Sequence, residues 1–342
     1  MKFKSIAACL DMAGCPNRCG HCWLGHGRNP NGTPDDLRFM ADAFRPFTGE
    51  LKIFSWYREP DFREGYRALF ELERALSGSG TPHFELMSVW RAVRDPAYIP
   101  WLASLGVEQM QLTLFGGEAL TDRYTGRRGA WQDIMRSIEL LRAHGIIPRI
   151  QVFVDRVTAR DLAPVEELVQ ALDYPAFVHA GSCVGAAMGL YDVRATPEEL
   201  DWIPAALAEK SLRHWEAKHL REIFGEQESD LCAKLAGSND TASFVSDTPT
   251  FFINGSWDVY PNHSAPGPAW RLGNLKRDGA EKVLACYLDE TSPAQHVRRS
   301  VPLGELVRAC GDPASPRLFE PEDFVDYLLE KYLQLMKENH DD

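Results

Sequence analysis

Three cysteines, Cys15, Cys19 and Cys22, stand in the run GCPNRCGHCW and read C-x3-C-x2-C. Three thiolates this close on one loop can grip three irons of a cubane cluster. The fourth iron is then left without a protein ligand. An open iron is a place to bind and reduce a molecule, as an open zinc position is in catalytic zinc proteins. A zinc knuckle is the competing reading. Structural zinc takes four ligands, usually as paired C-x2-C units, and no second pair follows here, although His21 and His26 lie nearby. The chain has eight cysteines, and the bunching of these three points to metal more than to disulfides in a cytosolic chain.

Such a loop works only where a frame holds it. Residues 3–9 (FKSIAAC) read as a strand running into the cysteine loop, and residues 35–46 as a helix beyond it. Strand-like runs then recur at 51–56, 83–89, 107–115, 148–154 and 175–181, with helical runs at 65–78, 97–106, 130–145 and 159–173 between them. Apolar strands separated by helices of about 10–15 residues argue for a parallel sheet of βα units. Six units in residues 1–185 are too few for a closed eight-stranded barrel. The expectation is therefore an α/β fold, a partial (β/α)6 barrel, whose ligand sites lie at the C-terminal ends of its strands. The cysteine loop leaves strand one at that end. After residue 190 the alternation stops. Residues 197–235 are helical and charged, 250–260 (TFFINGSWDVY) read as a hairpin with Asn254-Gly255 at its turn, and 321–338 as a terminal helix with acids in its first turn. The expected domains are 1–190, the barrel core, and 191–342, a smaller α+β capping domain.

The 342 residues are 44% hydrophobic, enough for a sizeable core, and carry 49 acidic against 37 basic side chains for a formal net charge of −12. That balance argues against nucleic acid or an anionic membrane surface as the main partner. No run of 18 apolar residues occurs. The start, MKFKSIAACLDMAGC, imitates a weak signal peptide, but its apolar stretch is brief and runs into the cysteines. A cytoplasmic protein is expected.

With its place after strand one, the C-x3-C-x2-C spacing resembles the defining motif of the radical S-adenosylmethionine (SAM) superfamily. The resemblance covers residues 3–185 and implies a [4Fe–4S] cluster on Cys15, Cys19 and Cys22. It implies SAM on the open iron, cleaved reductively to a 5′-deoxyadenosyl radical. Further residues extend the match. His21 takes the place of the ring that precedes the third cysteine, near the adenine. Glu59-Pro60 in FSWYREPDF stands where the family has a Gly-Gly-Glu-Pro-like turn for the SAM amino group, with the glycines missing. An acid facing an ammonium is physically sensible. Thr113, in QLTLFGG, takes the place of a SAM-contacting serine. Arg127 and Arg128, in TDRYTGRRGAW, match an arginine-containing turn suited to the SAM carboxylate. The sixth strand ends at His179, Gly181 and Cys183, where the family's adenosine packs.

The segment FFINGSWDVYPNHSAPGPAWRLGN is similar to the start of the SPASM or twitch extension behind many radical SAM cores. Asn262 stands where that extension has a cysteine, while Leu272-Gly273-Asn274 is kept. Cys232, Cys286 and Cys310 offer no close pair for an auxiliary cluster, so the resemblance implies a SPASM-like domain without one. Trp257, His263 and Trp270 are candidate pocket-lining residues.

The expected activity is hydrogen-atom abstraction from an unactivated carbon of a small molecule, a secondary-metabolite intermediate, by epimerisation, dehydrogenation or rearrangement. A ribosomally made peptide is the alternative. The cysteines arrive by residue 15, with no N-terminal leader-binding domain ahead of them, which tilts the expectation toward the small molecule. From another class, a non-enzymatic iron–sulfur or zinc-binding protein stays open. Cys183 and Cys310 are the candidate thiol hydrogen-atom donors of an epimerase. A reducing partner such as flavodoxin or ferredoxin is implied.

Overall fold

The computed structural model describes residues 2–54, 58–59, 61–77, 82–83, 85–261 and 266–341. Contacts divide the chain into two compact units that interleave along the sequence. One comprises Met1–Pro16, Leu24–Ser88 and Thr241–Val301, the other Asn17–Trp23, Val89–Asp240 and Pro302–Asp342. Both draw on residues from either side of 190.

The described strands are β1 (Phe3–Leu10), β2 (Thr48–Phe54), β3 (Gln109–Leu114), β4 (Ile147–Phe153), β5 (Ala176–His179), β6 (Glu226–Gln227), β7 (Thr250–Ile253), β8 (Asp258–Pro261), β9 (Gly273–Asn274) and β10 (Leu318–Phe319). In the first unit the sheet order is β2-β1-β7-β8-β9. β1 is parallel to β2, with Cys9 opposite Phe54, and parallel on its other edge to β7, with Leu10 opposite Ile253. A strand paired on both edges is buried, so Ile6, Ala8, Cys9 and Leu10 are all buried. The expected hairpin is present as β7–β8, and it extends the N-terminal sheet. Asn254-Gly255 lies in its loop, where Asn254 Oδ1 accepts from the Ser256 and Asp258 N–H groups. The left-handed residue is Trp257 (φ 71°), which packs edge-on to Phe39 and under Lys276 Nζ. The helix Pro34–Phe44 starts from a Thr33/Asp36 capping box and buries Leu37, Met40, Ala41 and Phe44 on this sheet. Leu272-Gly273-Asn274 has a local job: Asn274 caps the helix Leu275–Asp289 and donates to Ser256 O and Asp258 Oδ1. Trp270 is buried against Phe244. His263 and Asn262 lie outside the described residues.

In the second unit β3, β4 and β5 form a parallel sheet, with Thr113 opposite Gln151 and Phe153 opposite His179. Helices Glu118–Thr125, Ala130–Ala143 and Ala163–Leu172 intervene between these strands. The strand expected over 83–89 is reduced, among the described residues, to a single bridge at Leu86, and Val89 already opens a helix. The run has strand-like composition, but its last residue is taken up by the helix Val89–Arg94. The terminal helix Pro321–Asp341 is as expected, with Glu322 and Asp323 in its first turn.

Candidate functional site

Cys15 belongs to the first unit and Cys19 and Cys22 to the second. At the Cys15 end, Gly14 adopts φ 81°, and a Cβ there would come within 2.1 Å of Asn29 Oδ1. Only glycine fits both demands. Asn29 makes a two-way pair with the backbone of Cys15: Cys15 N–H donates to Asn29 Oδ1 and Asn29 Nδ2 donates to Cys15 O, each at 3.1 Å. Behind it, Arg58 donates to Asp11 Oδ2 at 2.8 and 2.9 Å, to Gly27 O at 3.2 Å and to Arg28 O at 2.8 Å. Asp11 in turn accepts from Gly14 N–H at 2.9 Å. Burial pushes the Asp11 carboxyl above its ordinary range, and the Arg58 guanidinium opposes that. Glu59, the proposed ammonium partner, is buried at the bend after β2 and its N–H donates to Gly14 O at 3.3 Å. It is thereby tied to the residue before Cys15.

At the other end the backbone does the holding. Thr125 O accepts from Arg18 N–H at 2.8 Å and from the Cys19 thiol at 3.9 Å, and Tyr124 O accepts from Gly20 N–H at 2.9 Å. These are orphan carbonyls at the C-terminus of the helix Glu118–Thr125. Cys22 O accepts from Ala186 N–H at 3.0 Å. Gly185 (φ 61°) runs so close that a Cβ would lie 2.2 Å from Trp23 O. His21 sits between Phe115 and Phe153, with ring centroids 4.7 and 5.0 Å away. Its Nδ1 is buried and takes no hydrogen bond among the described residues. Burial, then the nearby His179, lowers its pKa to about 4. His179 is likewise lowered to about 4, by burial and then Arg194, and its Nδ1 accepts from Gly181 N–H.

The remaining expected residues are scattered more widely. Thr113 donates to Gln151 Oε1 at 3.3 Å. Arg127 donates to Asn17 Oδ1 at 2.7 Å and to Asp133 Oδ2 at 2.5 Å, so it braces the cysteine loop against the next helix. Arg128 is exposed. Cys183 is buried, its thiol donating to Ala187 O at 3.9 Å and its N–H to Asp323 Oδ1 at 2.6 Å. Burial pushes that thiol up to about 12, and Cys310, buried at the end of Leu303–Cys310, to about 11. Sequence reasoning passed over Arg58, Asn29 and Asp11, and over the buried Tyr124, which donates to Asp155 at 2.6 Å. Their sequence signal is faint: Arg58 directly precedes the Glu59-Pro60 pair, and Asp11 directly follows strand one.

The eight cysteines form no disulfide. Among the described residues no three His, Cys, Asp or Glu side chains converge on a single metal ion. A cubane asks for something else, because each thiolate binds its own iron. Cys15, Cys19 and Cys22 are each half-buried, and their C-x3-C-x2-C spacing offers three such thiols.

Residues 10–171 match the family model described as the radical SAM superfamily. No curated protein sequence matches the chain. Among solved structures, the chain is similar to native anSMEcpe with bound AdoMet and Cp18Cys peptide, at 14% identity and a TM-score of 0.53, over 98% of this chain and 99% of that one. It is also similar to SuiB of Streptococcus suis bound to the precursor peptide SuiA, at 15% identity and a TM-score of 0.50, over 88% of this chain and 67% of that one. At such identities the likeness is one of fold, the α/β radical SAM fold. The cofactors of that superfamily are a [4Fe–4S] cluster and SAM, which the cysteine set fits. The cysteine motif lies inside the matched segment, so the chain carries a radical SAM domain and is a radical SAM enzyme.

Proposed function

We propose that this enzyme abstracts a hydrogen atom from a carbon of a peptide substrate. The cofactors supply the chemistry: an electron from the cluster cleaves SAM to the 5′-deoxyadenosyl radical. One observation favours a peptide over the secondary-metabolite reading: two structures of like fold hold peptides, one of them matched over 99% of its length. In this reading Cys15, Cys19 and Cys22 hold the cluster. Glu59 takes the SAM ammonium, and His21 and Thr113 complete the SAM site. Arg127, already paired with Asp133 and Asn17, positions the loop. Residues 1–190 are the core module and 191–342 a SPASM-like module without an auxiliary cluster, acting in the cytoplasm. Among the described residues no helix is long and apolar enough to cross a membrane. Cys183 and Cys310 keep their protons at neutral pH, and a thiol hydrogen-atom donor needs that S–H bond.

The test is anaerobic turnover of reconstituted enzyme with dithionite, SAM and deuterated candidates. Synthetic peptides from short reading frames beside the gene are one set, and small metabolites the other. Deuterium moving from a peptide carbon into 5′-deoxyadenosine is the expected result. Transfer only from small molecules would restore the secondary-metabolite reading and sink the peptide one.

A further inference from the structure

An acidic chain should repel an acidic partner. At −12 net charge, the chain as a whole opposes docking of flavodoxin or ferredoxin-type carriers, which are themselves acidic. One place differs. The helix Glu118–Thr125 and the turn after it hold Arg123, Arg127 and Arg128, and Arg18 comes to them from the cysteine loop. The contact is direct: Arg18 N–H donates to Thr125 O at 2.8 Å, and a Cβ on Gly126 would lie 2.7 Å from Arg18 O. Arg18, Arg123 and Arg128 are all exposed.

The acids of the same segment are turned to other work. Asp122 accepts from Gly129 N–H at 2.6 Å and Trp131 N–H at 3.0 Å. Asp133 is buried and holds Arg127 and Arg94, at 2.5 and 2.9 Å. Glu118 is exposed but begins the helix, well over one turn before Arg123. The result is a collar of outward cations around carboxylates that face inward. The collar is built on the turn whose Thr125 carbonyl receives the Cys19 thiol. A partner seated on it stands beside a cluster ligand.

We propose that this arginine collar is the docking surface for an acidic one-electron carrier protein. The proposal rests on the radical SAM reading and names the partner of that site. In the step served, the carrier is oxidised by one electron and the cluster reduced by one, and no bond forms or breaks. Complementary charge acts on encounter and orientation, so its signature is in apparent affinity and in salt dependence.

The test compares Arg18→Glu/Arg123→Glu with the parent and with Arg38→Glu/Arg213→Glu, which makes the same net-charge change on surface helices elsewhere. Two readouts are taken with flavodoxin: its direct binding by titration calorimetry, and the KM for reduced flavodoxin in SAM cleavage. Dithionite-driven cleavage is measured in parallel. The collar variant should raise both Kd and KM at least about tenfold at low salt and flatten their salt dependence, with the dithionite rate unchanged and the control near the parent. Unaltered flavodoxin binding in the collar variant overturns the proposal. So does an equal loss in the control, which would make net charge the cause. So does an equal loss with dithionite, which would place the arginines in cluster or SAM binding. Absence of SAM cleavage by the parent with dithionite sinks the radical SAM reading instead, while the calorimetric comparison still decides the docking surface.

Discussion

The two ends of the cysteine loop are held by different kinds of bond. At Cys15 the work falls on side chains: Asn29 pairs with the Cys15 backbone, and a buried Arg58–Asp11 pair ties down the chain around it. At Cys19 and Cys22 it falls on main-chain groups: the helix-end carbonyls of Tyr124 and Thr125, and the close approach of Gly185 to Trp23. Side-chain clamps can be cut one substitution at a time and leave a charge behind. Backbone seats respond only where a side chain is added. The two ends should therefore fail in different ways.

The largest expected effect is at the clamp. Arg58→Met leaves Asp11 buried without its cation, and breaking such a pair costs about 3–5 kcal/mol. Asn29→Ala, by contrast, frees exposed backbone groups that water can satisfy and should cost about 0.5–1.5 kcal/mol. Denaturant midpoints of the two variants decide this. Equal losses would mean that the buried pair is no anchor.

Next is Glu59→Ala, which should weaken SAM binding by about 1.5–3 kcal/mol through a lost charge-assisted contact and leave iron content intact. Isothermal titration with SAM on the loaded enzyme measures it. Unchanged affinity removes Glu59 from the SAM site.

At the backbone seat, Gly185→Ala must place a Cβ at φ 61° and 2.2 Å from Trp23 O. The strain should cost about 1–3 kcal/mol. Gly189, with nothing within 4 Å of an added Cβ, should accept Ala at almost no cost. If both variants unfold alike, the close approach carries no weight.

The last effect is a pH slope. Burial holds His179 near a pKa of about 4, below the ordinary 6.5 of histidine. Between those values the unfolded chain binds the extra proton, so stability falls as the pH drops from 6.5 toward 4. The slope is at most about 1.4 kcal/mol per pH unit for one group. His179→Gln should flatten that limb in unfolding measured from pH 4 to 7. An unchanged limb assigns the slope to other groups.

The sequence carries the strands and the metal motif well, because both are local. Strand-like runs such as 148–154 and the short cysteine spacing need no distant partner to be read. It carries the neighbours of the motif poorly. Asn29 and Cys15 meet by a loop closure, and Arg58 and Asp11 across 47 residues, with no periodic signature. The Cys15 clamp became visible only with the fold. The same holds for β7, whose apolar run announces a hairpin but not that it pairs with β1. Leu86 marks the opposite failure, where a run with strand-like composition forms only a bridge. Arg127 reads in sequence as a SAM contact, yet the fold pairs it with Asp133 and Asn17.

The most direct test of the central claim is iron and SAM chemistry measured together. After anaerobic reconstitution the chain should hold about four irons, and with dithionite it should convert SAM to 5′-deoxyadenosine. The Cys15→Ala/Cys19→Ala/Cys22→Ala variant should lose both. A single zinc, close to eight irons, or a full iron load that never yields 5′-deoxyadenosine would contradict the account.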